Sequence, residues 1–248
     1  MNQLVLKNFP AFDYAYGEAI NTLCTNLKFC GDEKKRIMLT SVQAHEGKSM
    51  ISLSMQRVLA QLGHRVVLVD ADLRRSQMTS RYGIQVVSGT GKGLAHYLAG
   101  WCSIDEIVYE TDAANAYMIP VGKVVANSLS LISSPRIEIL LEQLKHQFDY
   151  VLIDAPPIGA IIDAAEIGRY CDGSLLIVKY NHTSRTALCD ARDQIEHAGC
   201  EVLGVVMNEV DIDSMSGKKY YNKQYYARYT SDYHKPVRRK MKKKDGKD

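Results

Sequence analysis

No apolar run in this chain approaches the roughly 18 residues that a membrane-spanning helix needs. The opening MNQLVLKNFPAFDY lacks the charged start and apolar stretch of a signal peptide, so the expectation is a protein made and kept in the cytosol. The six cysteines, Cys24, Cys30, Cys102, Cys171, Cys189 and Cys200, include no CxxC pair. That spacing excludes a zinc ribbon and a dithiol redox motif and reads as reduced, mostly buried thiols. There is no internal repeat, which removes solenoids and propellers. A basic face is missing too. Residues 235–248, KPVRRKMKKKDGKD, carry a net charge of +6, so the rest of a chain whose total is +3 is slightly acidic. A nucleic-acid groove spreads its charge over the fold, and no nucleic-acid partner is expected.

What is present is ordinary for a globular protein, with 46% apolar and 24% charged residues. A chain of 248 residues buries roughly 70–75% of its unfolded surface and needs no staple. RIMLTS (36–41) is a short β-rich run, and RVVLVD (65–70), YVLIDAPP (150–157), GSLLIVKY (173–180) and EVLGVVMN (201–208) are apolar, mostly β-branched runs of the kind buried on both faces. Helical patterns separate them. They cover 12–29, a stretch that follows VQAHEGKS and ends at Gly63, Pro135–Phe148 with Ser134 as N-cap, and Thr183–Ala198 stopped by Gly199. Another helical pattern starts at Ser103, where Ser-Ile-Asp-Glu fits a capping box. The alternation predicts an α/β domain with a mainly parallel central sheet and helices on both faces. Ligands of such sheets bind at the carboxyl ends of the strands. One domain is expected over 1–213, followed by a polar segment, 214–234, and the basic tail, 235–248.

Glu46-Gly47-Lys48-Ser49 lies directly after one strand and directly before a helix. A phosphate site needs inward backbone N–H groups, a helix N-terminus, a lysine for the β/γ oxygens and a hydroxyl for Mg²⁺. Lys48 and Ser49 supply the last two. The full pattern GxxxxGK[ST] is broken at its first glycine, here Val42, and His45 occupies a turn position where glycine is easiest. Histidine tolerates positive φ better than a β-branched residue, so this substitution is compatible with a loop of the same shape. VVLVDAD ends one strand in Asp70 and Asp72, and VLID ends another in Asp154. Carboxylates leaving buried strands toward a GKS loop point to a Mg²⁺–nucleotide site rather than to three unrelated helix caps. Together these features predict a P-loop NTPase-type three-layer fold.

TSVQAHEGKS, VVLVDADLRR, VLIDAPP and YYNKQYYARYTSDY, in that order, resemble the Walker A, Walker A′, Walker B and tyrosine-cluster motifs of the bacterial tyrosine kinases. The likeness covers about residues 12–234 and is greatest to the separate cytoplasmic kinases of capsular and exopolysaccharide systems. Its most specific mark is the A′ pattern with its trailing arginine, Asp70, Asp72 and Arg74. The resemblance implies nucleotide contacts from Ala44, His45, Glu46, Gly47, Lys48, Ser49 and Met50, with Lys48 on the β/γ phosphates. It implies Mg²⁺ ligation by Ser49, Asp72 and Asp154, and Asp70 as the base facing the incoming tyrosine hydroxyl. Arg136 matches an arginine near the phosphates, and Asn208 a position that reads adenine in related ATPases. Tyr220, Tyr221, Tyr225, Tyr226, Tyr229 and Tyr233 place six of fifteen tyrosines within one polar stretch and are the implied autophosphorylation sites. Implied partners are a membrane-embedded activator, which would bring the kinase to the inner face of the membrane, a cognate phosphatase, and further copies of the chain.

The sequence departs from the family at the first helix. The Glu-x-x-Arg-x-x-Arg that joins protomers into a ring is here Glu18, Asn21 and Cys24. Ala44-His45 replaces the usual Pro-Gly. The basic tail has two readings, a solvated end or a segment drawn to anionic lipid. A second function also stays open, a switch ATPase of the partition and septum-site type. Those proteins carry a signature lysine where this chain has Gln43.

Overall fold

Strands that are apolar on successive residues need cover on both sides, and the chain supplies it by alternating strand and helix. The computed structural model describes residues 2–124 and 127–210. The boundary expected at 213, the tyrosine cluster and the basic tail lie outside them. The elements are β1 Gln3–Leu6, α1 Tyr14–Lys28, β2 Arg36–Ser41, α2 Lys48–Gln61, β3 Val66–Asp70, α3 Met78–Tyr82, β4 Ile84–Ser88, α4 Leu94–Leu98, β5 Tyr109–Glu110, β6 Ala116–Ile119, α5 Ser128–Ile132, α6 Pro135–Gln147, β7 Tyr150–Asp154, α7 Asp163–Gly168, β8 Gly173–Lys179, α8 Arg185–His197 and β9 Val202–Asn208. Among the described residues they form one nine-stranded sheet, ordered β4-β1-β5-β6-β3-β7-β2-β8-β9. Only the β1/β4 and β5/β6 pairs are antiparallel. A compact unit spans Met1–Asn208.

Period two divides each central strand between two cores. Ile37, Leu39, Val66, Leu68, Leu152, Leu175 and Ile177 face α1, α2 and α3, packing with Ile20, Leu27, Ile51, Met55 and Met78. Met38, Val67, Val69, Val151, Ile153, Leu176 and Val178 face the other way, onto α4 to α8. Three layers result, as the alternation predicts.

Several expectations need correction. β9 is the outer strand, with Val205 and Met207 about half exposed, so EVLGVVMN is not buried on both faces. At Ser103 the capping box forms, its N–H donating to Glu106 Oε2 at 2.9 Å, but it caps a single 3₁₀ turn, Ile104–Glu106, before the chain enters β5. Ser134 has N-cap backbone geometry, yet its hydroxyl donates to Leu131 O at 2.7 Å instead of capping α6. On α1, Asn21 donates to Glu18 Oε1 at 3.2 Å within the helix. Cys24 is fully buried against α2, and burial pushes its thiol up to about 12. Neither position offers a charged group to a neighbour.

Asp172, just before β8, ties the amino ends of β2 and β8 to α6. Its carboxylate accepts from the backbone N–H groups of Lys35 and Arg36, from Arg36 Nε and Nη2, and from Lys145 Nζ. Burial works to raise its pKa, but Arg36 and Lys145 outweigh that and hold it at about 2. A pKa lowered by folding stabilises above the unfolded value and loses that contribution as pH falls toward the folded one. Asp172→Asn is therefore expected to cost about 2 kcal/mol at pH 7. The gap from wild type should close as pH falls from about 4 toward 2, measured by urea melts across that range. A gap independent of pH would remove the carboxylate's charge as the cause.

Candidate functional site

β3, β7 and β2 are neighbours at the centre of the sheet, and all three run the same way. Their carboxyl ends therefore meet at one place. Register pairs Asp70 with Asp154 across β3/β7, and Leu39 with Asp154 across β2/β7. The loop after β2 enters α2 through Gly47, whose φ of 89° suits glycine. His45 sits at φ 66°, as its loop position requires. Gln43, Ala44 and His45 form the exposed crest of the loop.

Glu46 holds this loop from inside. It is 1% exposed. One carboxylate oxygen accepts from Gln43 N at 2.7 Å, and the other accepts from Lys179 N and from the Thr183 hydroxyl. Asn208, at the end of β9, donates to Glu46 O at 2.9 Å. Thr40 Oγ1 donates to Pro156 O at 2.6 Å, joining the ends of β2 and β7. Beyond it the backbone of Gly159 lies so close to the loop that a Cβ there would stand 2.4 Å from Val42 O.

Lys48 Nζ lies 3.4 Å from Asp154 Oδ2 and 3.8 Å from Asp72 Oδ2. Burial works to lower its pKa, but Asp154, Asp72 and Asp70 outweigh that and leave it raised. Ser49 Oγ donates to Asp154 Oδ2 at 2.6 Å, and Ser52 Oγ to Asp154 Oδ1 at 3.1 Å. Asp72 Oδ1 accepts from Arg75 N at 3.0 Å. Asp70 accepts from the Ser76 hydroxyl. Burial and the neighbouring Asp154 push the Asp70 carboxyl up to about 7.

The donors fit Mg²⁺: one hydroxyl and two carboxylates, all hard oxygens. Among the described residues, no group of three or more His, Cys, Asp or Glu could hold a metal ion. An ion whose shell is completed by phosphate oxygens and water needs none. Lys48, Ser49, Asp70, Asp72 and Asp154 thus converge, with Ala44 to Gly47, Met50 and Asn208 on or against the same loop. Arg136 does not join them. Its Nε donates to Tyr97 O at 2.7 Å and Nη2 to Cys102 O at 3.4 Å, and the guanidinium lies over the Tyr97 ring. An open groove of about 530 Å³ beside it, lined by Tyr97, Ile104, Ile139 and His146 among others, shares no residue with the phosphate loop. Sequence reasoning missed the anchoring roles of Glu46, Thr183, Gly159 and Ser76.

Residues 34–217 match the model of an AAA domain family. The tyrosine-protein kinase CpsD of Streptococcus agalactiae is 38% identical over 194 residues, covering 78% of this chain and 82% of that one. Its namesake in Streptococcus pneumoniae is 34% identical over 195 residues, 79% and 85% of the two chains. The kinase domain of the Escherichia coli tyrosine kinase Etk superposes with a TM-score of 0.75 at 30% identity, covering 82% and 81%.

The chain belongs to the bacterial tyrosine kinases.

The septum site-determining protein MinD of Pyrococcus horikoshii shares the fold, with a TM-score of 0.61 at 22% identity, covering 75% of this chain and 76% of that one. At that identity the likeness speaks for architecture alone.

Proposed function

We propose that this bacterial tyrosine kinase transfers the γ-phosphoryl group of ATP to tyrosines of its own C-terminal cluster, Tyr220 to Tyr233. The observation that carries the reading is the meeting of Lys48, Ser49, Asp72 and Asp154 around one point, with Asp70 beside it. Phosphoryl transfer asks mainly for alignment and charge neutralisation. Lys48 binds the β/γ oxygens. Ser49, Asp72 and Asp154 would hold Mg²⁺ directly or through water, which would supply neutralising charge on the phosphates. The tyrosine oxygen bonds to Pγ as the bond to the β-phosphate oxygen breaks, and ADP leaves. Asp70 takes the phenolic proton, a role suited to a carboxyl near pH 7.

The names of the curated relatives support a place in capsular or exopolysaccharide production. We read the kinase as working there at the inner face of the membrane with a membrane-embedded activator and a phosphatase that resets it. With Asn21 and Cys24 in place of arginines, association between copies uses other contacts. A switch ATPase shares the fold, but its signature lysine is Gln43 here.

The test is mass spectrometry of the purified chain after incubation with ATP and Mg²⁺, alone and with the activator's cytoplasmic segment. Phosphotyrosine confined to 220–233 is expected, strengthened by the activator segment. ATP turnover without phosphotyrosine in either sample would replace this reading with the switch ATPase.

A further inference from the structure

Arg74 belongs to the family mark, yet the chemistry above leaves it without a task. It turns to Asp163. Arg74 Nε donates to Asp163 Oδ2 at 2.8 Å and Nη2 to Oδ1 at 3.0 Å, a two-pronged contact. Asp163 opens α7 and is 1% exposed. Ser128, which opens α5 and is fully buried, donates its hydroxyl to the same carboxylate. A buried charge is costly unless it is paired and hydrogen-bonded, and this one meets three donors from two other elements. Burial works to raise its pKa, and Arg74 and Ser128 more than offset that.

Both ends of the ion pair sit on segments that carry reactive groups. Arg74 lies in the turn after β3, where Arg75 N donates to Asp72 Oδ1 and Ser76 N to Asp72 O, each at 3.0 Å. Ser76 in turn donates to Asp70. Asp163 lies on the connection that leaves Asp154 and passes Gly159. The pair thus spans from the turn holding Asp72 to the segment leaving Asp154. The phosphate loop, with Lys48 and Ser49, takes no part in it.

We propose that Asp163, through its ion pair with Arg74, is a positioning residue for phosphoryl transfer, fixing the turn that carries Asp72 relative to Asp154. The rate readout rests on the kinase reading above, and the nucleotide readout does not. The experiment compares full-length wild type with Asp163→Asn, Arg74→Lys and Ser128→Ala. It measures phosphotyrosine formation, ADP affinity with and without Mg²⁺, and thermal melting. In Asp163→Asn, kcat should fall about 10²-fold, as expected for reacting groups displaced by about an ångström. The KM for ATP, measured with Mg²⁺ present, should rise only as far as the Mg²⁺ contribution to binding falls, and by much less than kcat, since the loop is untouched. Metal-free ADP affinity should match wild type, while the gain in affinity on adding Mg²⁺ shrinks. Arg74→Lys should lie between, because lysine keeps the charge without the fork. Ser128→Ala keeps the ion pair, and a smaller loss of the same kind decides the matter if Asp163→Asn does not fold. Unchanged kcat and Mg²⁺ response in folded variants would overturn the proposal. So would metal-free affinity and melting temperature falling together with rate, which marks a general structural role. If wild type forms no phosphotyrosine, the kinase reading fails, and the Mg²⁺ response of ADP binding still decides the role of Asp163.

Discussion

Lys48→Met should lower phosphotyrosine formation at least about 10³-fold, roughly 4 kcal/mol of transition-state stabilisation. The ammonium lies among Asp70, Asp72 and Asp154, 3.4 Å from Asp154 and 3.8 Å from Asp72. Its side chain is only 13% exposed, so water cannot replace it cheaply. Methionine fills similar space without charge, leaving the β/γ oxygens facing carboxylates. Quantitative mass spectrometry of 220–233 reads the rate, and a thermal melt shows whether the variant is folded. A folded Lys48→Met protein labelled at more than a tenth of the wild-type rate would remove Lys48 from the chemistry.

Gly47→Ala should cost about 10²-fold in nucleotide affinity and roughly 2 kcal/mol in stability. Two physical effects combine. At φ 89° an L side chain is strained, and the new Cβ would stand 2.0 Å from Asn208 Nδ2. Asn208 must swing away, giving up its bond to Glu46 O, and the loop must shift its inward N–H groups. Adding Asn208→Ala to the same chain should recover part of the loss by removing the collision, though not the backbone strain. Titration with a fluorescent ADP analogue measures both variants. Equal affinities for Gly47→Ala with and without Asn208→Ala would show that the collision contributes nothing.

The centre of this fold is legible because its strands are covered on both faces, so VVLVD and VLID had to be apolar at every position before their final aspartates. The far edge is not. β1, β4 and β5 are short and partly exposed, and no periodicity distinguishes QLVL or IQVVS from a loop. β9 misled in the opposite direction, since its apolar residues lie on an outer strand. Lys48, Ser49 and the three aspartates could be found because each sits in a local pattern at a strand end. The anchors of the site could not. Glu46 finds Lys179 and Thr183, and Arg74 finds Asp163, across long stretches of chain that no local pattern spans. Arg136 shows the converse. Its place on a helix was readable, but carbonyl oxygens of Tyr97 and Cys102 claim its guanidinium.

The strand order carries a consequence for how the protein is made. β2 and β3 follow one another in sequence, yet they do not touch, because β7 lies between them. While the chain emerges from the ribosome, the phosphate loop and the β3 aspartates exist for most of synthesis without their shared neighbour. Asp154, and with it the partner of both Ser49 and Lys48, arrives only with β7. A nascent chain therefore lacks this reaction centre until β7 has been translated. Tyr220 to Tyr233 follow β7 in the chain, so by topology the centre is completed before the tyrosines proposed as its acceptors are translated.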